Sequence, residues 1–196
     1  MFRRSLFVIV PAMFLVGCMK PAMPMGPPKK PDVPVEMKKL DRLIGNWTGT
    51  AEMVEPNPED MKAMMPESER SKFQNKFAFG GKNEWVFGGM ALKGEGWYEM
   101  GEGMRVTYVE YWTWNPKKNQ FETLFMSDWG EKGTGSATMC PDCDGFCSKG
   151  EGLDAQGMKK KFSGCMVFRD DRTMDWKFTE HNPYGKMVMK GTSTRQ

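Results

Sequence analysis

A mostly β domain is what this sequence predicts: about nine or ten short antiparallel strands forming a closed barrel or a sandwich, with one or two short helices. Three observations carry that expectation. Short runs of alternating apolar and polar residues recur along most of the chain, the period-2 signature of half-buried strands. Glycine and aromatic residues are abundant, with 22 Gly, 13 Phe, 7 Trp and 4 Tyr. Long helical periodicity is missing. Closure into a barrel removes the unpaired edges that so many strands would otherwise expose, so the barrel is the preferred architecture.

The first segment is read as an export signal. Arg3 and Arg4 form a short positive region, an uncharged apolar run covers 6–16, and Leu15-Val16-Gly17-Cys18 closes it. A membrane span needs roughly 20 apolar residues, and this run is shorter. Leu-x-small-Cys resembles the lipobox of bacterial lipoproteins. That resemblance implies removal of 1–17 and lipidation of Cys18 by a diacylglyceryl thioether and an acylated amine. Several acyl chains hold a protein firmly where one binds only marginally. Met19-Lys20 follow with no Asp beside the cysteine, which by resemblance to enterobacterial sorting favours the outer membrane over the inner. Residues 18–35 are rich in proline and read as a semi-rigid tether. Residues 36–196 are expected to be a single domain facing the periplasm.

Within that domain, Met37, Leu40 and Leu43 share one face of a short helix. Trp47, Gly49, Ala51 and Met53 alternate with Asn46, Thr48, Thr50 and Glu52, which predicts the first strand. Asn57 as N-cap, Pro58 at the first helical position, and Glu59 and Asp60 in the first turn predict a helical insertion over 56–67. Met61, Met64 and Met65 would share its face. Further strands are expected at 71–79, 83–91, 93–100, 105–114, 121–127, 134–139, 146–153, 159–168, 173–179 and 186–194. Asn115-Pro116-Lys117-Lys118-Asn119, Asp154-Ala155-Gln156-Gly157 and Asp170-Asp171-Arg172 carry turn chemistry.

Leu43-Ile44-Gly45-Asn46-Trp47-Thr48-Gly49 resembles the Gly-x-Trp opening of lipocalin-like (calycin) barrels. Phe87-Gly88-Gly89-Met90-Ala91-Leu92, Trp112-Thr113-Trp114-Asn115-Pro116 through Phe125, and Tyr184-Gly185-Lys186 through Arg195 resemble, in order, later strands of the domain of unknown function 1579 family. Met90 stands where that family usually has Arg, and its pattern does not include the cysteine-rich segment. The resemblance implies a lipocalin-like barrel in which Trp47 lies at the closed end with Arg195 stacked across it. Such a stack contributes about 0.5–2 kcal/mol.

The chain has five cysteines, and four remain once Cys18 is set aside. An even set in an oxidising compartment points to disulfides. A hairpin turning at Ala155-Gln156 brings Cys147 within one residue of register with Cys165. The expected pairs are therefore Cys147 with Cys165 and Cys140 with Cys143. The alternative is a zinc site formed by Cys140, Cys143, Cys147 and Cys165. No other cofactor is expected.

The formal charge is +3 including Arg3 and Arg4, so the mature part is close to neutral and nucleic acid is not an expected partner. Twenty methionines are dispersed along the chain. Met23-Pro24-Met25, the Met61 cluster and Met187-Val188-Met189 are possible soft Cu(I) ligands, against a bland role as adaptable filler. His181, the only histidine, reads as a loop residue, with haem ligation as the alternative. No catalytic constellation stands out, and the protein is expected not to be an enzyme. The expected activity is binding of a small apolar or amphipathic ligand in the barrel, with Trp85, Tyr108, Glu110, Trp112 and Phe125 as its walls. The competing expectation is an envelope structural or assembly component with a filled barrel.

Overall fold

The computed structural model describes residues 29–59, 67–70, 74–99, 101 and 105–196. Cys18, Met23, Met25 and the Met61, Met64, Met65 face lie outside the described residues. Two compact units divide the chain. Of Met1–Asp32 only residues 29–32 are described, exposed and without regular structure; Val33–Gln196 is the folded unit.

That unit opens with a 3-10 helix, Val35–Leu43. Met37, Leu40 and Leu43 recur every third residue, which matches three residues per turn and puts all three on one buried face. Glu36 in the first turn and Arg42 in the last suit the helix dipole. Ten strands follow: β1 (Gly45–Glu55), β2 (Lys76–Val86), β3 (Ala91–Glu99), β4 (Arg105–Asn115), β5 (Gln120–Ser127), β6 (Lys132–Met139), β7 (Gly145–Leu153), β8 (Lys159–Phe168), β9 (Thr173–Asn182) and β10 (Gly185–Arg195). Each pairs antiparallel with the next, and β1 pairs with β10, so the sheet closes into a single barrel with no free edge. The fold class expected from the sequence is the one observed.

Turn chemistry is satisfied where it was expected. Asn115 Oδ1 accepts the N–H groups of Lys117 and Lys118, at 3.0 and 3.1 Å. Asp154 Oδ1 accepts those of Gln156 and Met158, and Asp170 Oδ1 that of Arg172. The insertion between β1 and β2 starts as its sequence suggests, with Asn57 Oδ1 accepting the Glu59 N–H at 3.1 Å.

The strands expected separately at 71–79 and 83–91 are joined in one, β2. The sequence divides at Gly80-Gly81, whereas β2 runs straight through both and the chain turns later, at Phe87–Gly89. Glycine at position 81 serves close approach: a Cβ there would lie 2.6 Å from the Glu95 carbonyl oxygen. The real turn uses positive φ at Phe87, Gly88 and Gly89.

The core sits at one end of the barrel. The 3-10 helix lays Met37, Leu40 and Leu43 against Trp47, Leu92, Trp112, Phe121, Phe146, Phe168 and Met174. Each fully buried aliphatic side chain stabilises by about 2 kcal/mol. Trp112, Phe121, Phe146 and Phe168 form a chain of rings with centroids 5.8–6.2 Å apart, the edge-to-face contacts among them being favoured by the ring quadrupoles.

Candidate functional site

Side chains alternate across a strand, and residues paired in register share a face. On β4 the inward column is therefore Val106, Tyr108, Glu110 and Trp112. It is matched on β3 by Tyr98, Gly96, Gly94 and Leu92, and Glu110 stands opposite Phe125 on β5. Toward the helix-covered end this column is solid: Leu92, Trp112 and Phe121 are all buried. Away from it the column loosens. Tyr98, Tyr108, Glu110 and Phe125 point inward yet keep accessible surface, as do Phe162, Phe178 and Met189 across the barrel. Inward side chains with accessible surface are less tightly covered, so this half of the barrel is more open than the helix-covered half.

Aromatic faces dominate its wall. The Tyr108 ring lies 5.6 Å from Phe125 and 6.3 Å from Tyr98, and Phe162 stacks on Phe178 at 5.9 Å. Glycine at position 96 makes room for this, since a Cβ there would fall 2.5 Å from the Tyr108 hydroxyl. At the floor, directly above Trp112, sits Glu110. Burial pushes its carboxyl up to about 7, against a smaller opposing effect of the Trp112 indole N–H. Burial also pushes the Tyr108 phenol up to about 12, with the Glu110 charge adding to the shift.

A second polar group lies further from the helix. Lys160 Nζ reaches Glu131 Oε1 at 2.9 Å and Glu180 Oε2 at 3.0 Å, and the Lys160 and Glu180 side chains are each only 8% exposed. Tyr98 donates its hydroxyl to Glu131 Oε2 at 3.2 Å, and Asn182 Nδ2 donates to Glu180 Oε1 at 3.1 Å. Burial pulls the Lys160 pKa down, but hydrogen bonds from its ammonium to the two carboxylates outweigh that and the net shift is upward. The ammonium is therefore favoured, and the cluster sets one ammonium between two carboxyl groups. Sequence reasoning missed this group because Lys159-Lys160-Lys161 reads as a solvated charge run. The alternation of Lys160 with inward Phe162 was the available signal.

The expected wall residues divide between the two halves. Tyr108, Glu110 and Phe125 line the more open half. Trp112 belongs instead to the packed end at 6% exposure, and Trp85 packs there too, its indole donating to Asp41 Oδ1 at 3.1 Å. The reason is the 3-10 helix, which fills the end these two face. Met187 and Met189 differ in register: Met189 pairs with Phe178 and Met187 with Glu180, both on the inward side. His181 lies within β9 rather than in a loop; it alternates with buried Glu180 and is exposed, so it faces away from the lumen. Two shallow grooves, of about 560 and 920 Å³, lie on the outer wall, flanked by Trp97, Thr107 and Val109 and by Tyr111, Leu124 and Thr134 respectively.

At the covered end, Trp47 pairs with Arg195 across the β1–β10 seam, and the guanidinium carbon lies 5.0 Å from the indole centroid. Trp47 Nε1 donates to the Leu43 carbonyl at 2.8 Å, and Arg195 Nη2 donates to that of Arg42. The pair thus fastens the helix as well as the seam.

The cysteine pairing departs from the expected one. Cys147 does stand directly opposite Cys165, with sulfurs 3.1 Å apart, but the disulfide joins Cys140 to Cys147. Cys143 and Cys165 are free thiols. Thr138 pairs with Cys147, so Cys140, two residues on, is the diagonal neighbour of Cys147 on the same face. Cys143 is carried to the loop tip. The loop is closed by the Cys140 N–H donating to the Gly145 carbonyl and is braced by Arg42, which meets Asp144 at 2.6 Å. The four-cysteine zinc alternative would need Cys140 and Cys147 as separate thiolates. Three of its sulfurs, from Cys140, Cys147 and Cys165, lie within 4.8 Å of one another.

No protein-family model matches this chain, and no curated protein matches it. Among solved structures it is similar to the S-type phycobiliprotein lyase CPES from Guillardia theta, at 10% identity and a TM-score of 0.52, over 81% of this chain and 91% of that one. It also aligns with a protein of unknown function from the DUF3598 family of Nostoc punctiforme, at 11% identity and a TM-score of 0.40, over 80% of this chain and 48% of that one. At 10% identity the first likeness speaks for the fold.

Proposed function

We propose that this protein is an exported lipoprotein, anchored in the cell envelope through Cys18, whose lipocalin-like barrel binds a small apolar or amphipathic ligand. The observation that carries the binding reading is the contrast between the two barrel halves: inward residues are buried at the helix end and keep accessible surface beyond it. A barrel built only as a filled scaffold has no use for a lumen walled by Tyr98, Tyr108, Phe125, Phe162 and Phe178 around one carboxyl. We propose binding rather than catalysis, because the described residues of this half offer aromatic faces and carboxyls with no paired nucleophile and base among them.

The lipobox-like run before Cys18 supports the anchor, and the ordered motifs from Trp47 to Arg195 support kinship with the domain of unknown function 1579 family. The phycobiliprotein lyase lends its fold and no activity.

Native mass spectrometry of the purified chain tests the binding reading. A retained non-covalent mass that organic extraction removes is expected; an interior that takes up neither native ligand nor added amphiphile overturns it in favour of a filled scaffold. Palmitate labelling in a bacterial host tests the anchor. Label on the wild type and none on Cys18→Ser is expected, and an unlabelled wild type rejects it.

A further inference from the structure

The lumen is unbalanced in charge. Among the described residues, Glu110, Glu131 and Glu180 border this half of the barrel with the ammonium of Lys160, and Asp154 is buried in the β7–β8 turn at the same end. The three-residue cluster is internally satisfied. Lys160 sits between the two carboxylates, Tyr98 covers the remaining oxygen of Glu131, and Asn182 that of Glu180. Its geometry is complete without a ligand, with two carboxyl groups to one ammonium.

Glu110 is different. Above Trp112, whose indole is its hydrogen-bond partner, it meets no charged side chain of the strands beside it among the described residues. On β3 it faces Gly94, flanked by Leu92 and Gly96; on β5 it faces Phe125, flanked by Thr123 and Ser127. On its own strand the neighbours on its face are Tyr108 and Trp112. Among these groups Tyr108 alone titrates, and it stays a neutral phenol at physiological pH. No ammonium or guanidinium from these elements meets Glu110. Across Gly94 the next side chain on this face is the uncharged amide of Asn83, whose Oδ1 would lie 2.7 Å from a Cβ at position 94.

We propose that the ligand is a cationic amphiphile, with an apolar or aromatic body against Tyr108, Phe125, Phe162 and Phe178 and a protonated amine seated on Glu110. The inference rests on the lumen reading above and names its ligand class. Apolar body and aromatic wall match by burial and by cation–π attraction at the faces of Tyr108 and Phe125. An ammonium brought to Glu110 supplies the counter-charge that the wall withholds, in a place where water screens little.

The pH dependence has a definite sign. A cation binds the ionised carboxylate, whose population rises as pH passes through about 7. Affinity for a cation should therefore rise about tenfold between roughly pH 6 and pH 8.

Isothermal titration of the purified full chain with octylamine, octanol and octanoate separates the possibilities. The expected order is octylamine tightest, octanol weaker and octanoate weakest, with only octylamine gaining affinity as pH rises. Glu110→Gln should remove that gain and bring octylamine toward octanol while leaving octanol binding in place. Octanol or octanoate binding as tightly as octylamine in the wild type overturns the cation proposal and leaves the lumen reading standing, and needs no variant. Uptake of none of the three overturns the lumen reading itself.

Discussion

Glu110 shows how one residue ties local chemistry to stability. Its strand position turns it inward, the packed floor of Trp112 lies beneath it, and burial raises its pKa from an ordinary 4.5 to about 7. For a group whose folded pKa is raised, the favourable contribution is complete below the unfolded value and is lost as pH rises through the folded one. Folding stability should thus decline between about pH 4.5 and pH 7, by about 1–3 kcal/mol after allowing for water in the lumen. Glu110→Gln has no carboxyl to ionise. Urea melts across pH should find this variant more stable than the wild type above neutrality and equal to it near pH 4.5; a wild-type curve parallel to that of the variant rejects the raised pKa. The direction of Glu110 was not legible in its sequence, because aromatics occupy both faces of β4: Tyr108 and Trp112 inward, Tyr111 outward. Register with Gly94 and Phe125 decided it.

At the scale of elements, the cysteine loop between β6 and β7 links the barrel wall to the helix that covers its end. The Cys140–Cys147 bridge closes the loop, the Asp144 carbonyl accepts the Phe168 N–H, and Asp144 pairs with Arg42 of the helix. A bridge closing so short a loop contributes about 2–3 kcal/mol. Cys140→Ala should lower the denaturation midpoint accordingly and loosen the Arg42–Asp144 contact. Peptide mapping of unreduced protein should recover 140 joined to 147, with Cys143 and Cys165 alkylated; recovery of 147 joined to 165 contradicts this pairing. Here the sequence pattern was half sufficient. The turn at Asp154 sets the β7–β8 register and so the proximity of Cys147 to Cys165. But that proximity does not choose a partner when a diagonal neighbour on the other side is equally near. The Gly80-Gly81 pair teaches the same lesson. Glycine marks either a turn or a close contact, and only the position of β3 shows that Gly81 is the latter.

Across the whole molecule, the barrel has a solid end and a more open one. Helix, Trp47–Arg195 seam, ring chain and cysteine loop all gather at the solid end, while the lumen and the Lys160 cluster occupy the other. Local stability follows buried apolar contact. Amides of residues flanking Leu92, Trp112 and Phe121 should exchange only through global opening. Those near Tyr98, Phe125 and Phe178 should exchange about tenfold faster or more, and a cationic amphiphile should slow the second group selectively. Uniform exchange along β3 to β5 contradicts the division.

What sequence by itself determined is everything set by local rules. Period-2 alternation marked the strands, Asn115, Asp154 and Asp170 marked their turns, and the three-residue spacing of Met37, Leu40 and Leu43 marked a helix with one apolar face. These signals survive because strand pleat, turn geometry and helix period act over a few residues. Tertiary structure alone decided which end the helix fills, which partner Cys147 takes, and that Lys160, Glu131, Glu180 and Tyr98 meet. Those outcomes depend on closure between β1 and β10 and on register summed around ten strands, and no short window of the chain contains that information. The more open half follows from the same closure: identical inward alternation leaves side chains packed where the helix covers them and accessible where it does not.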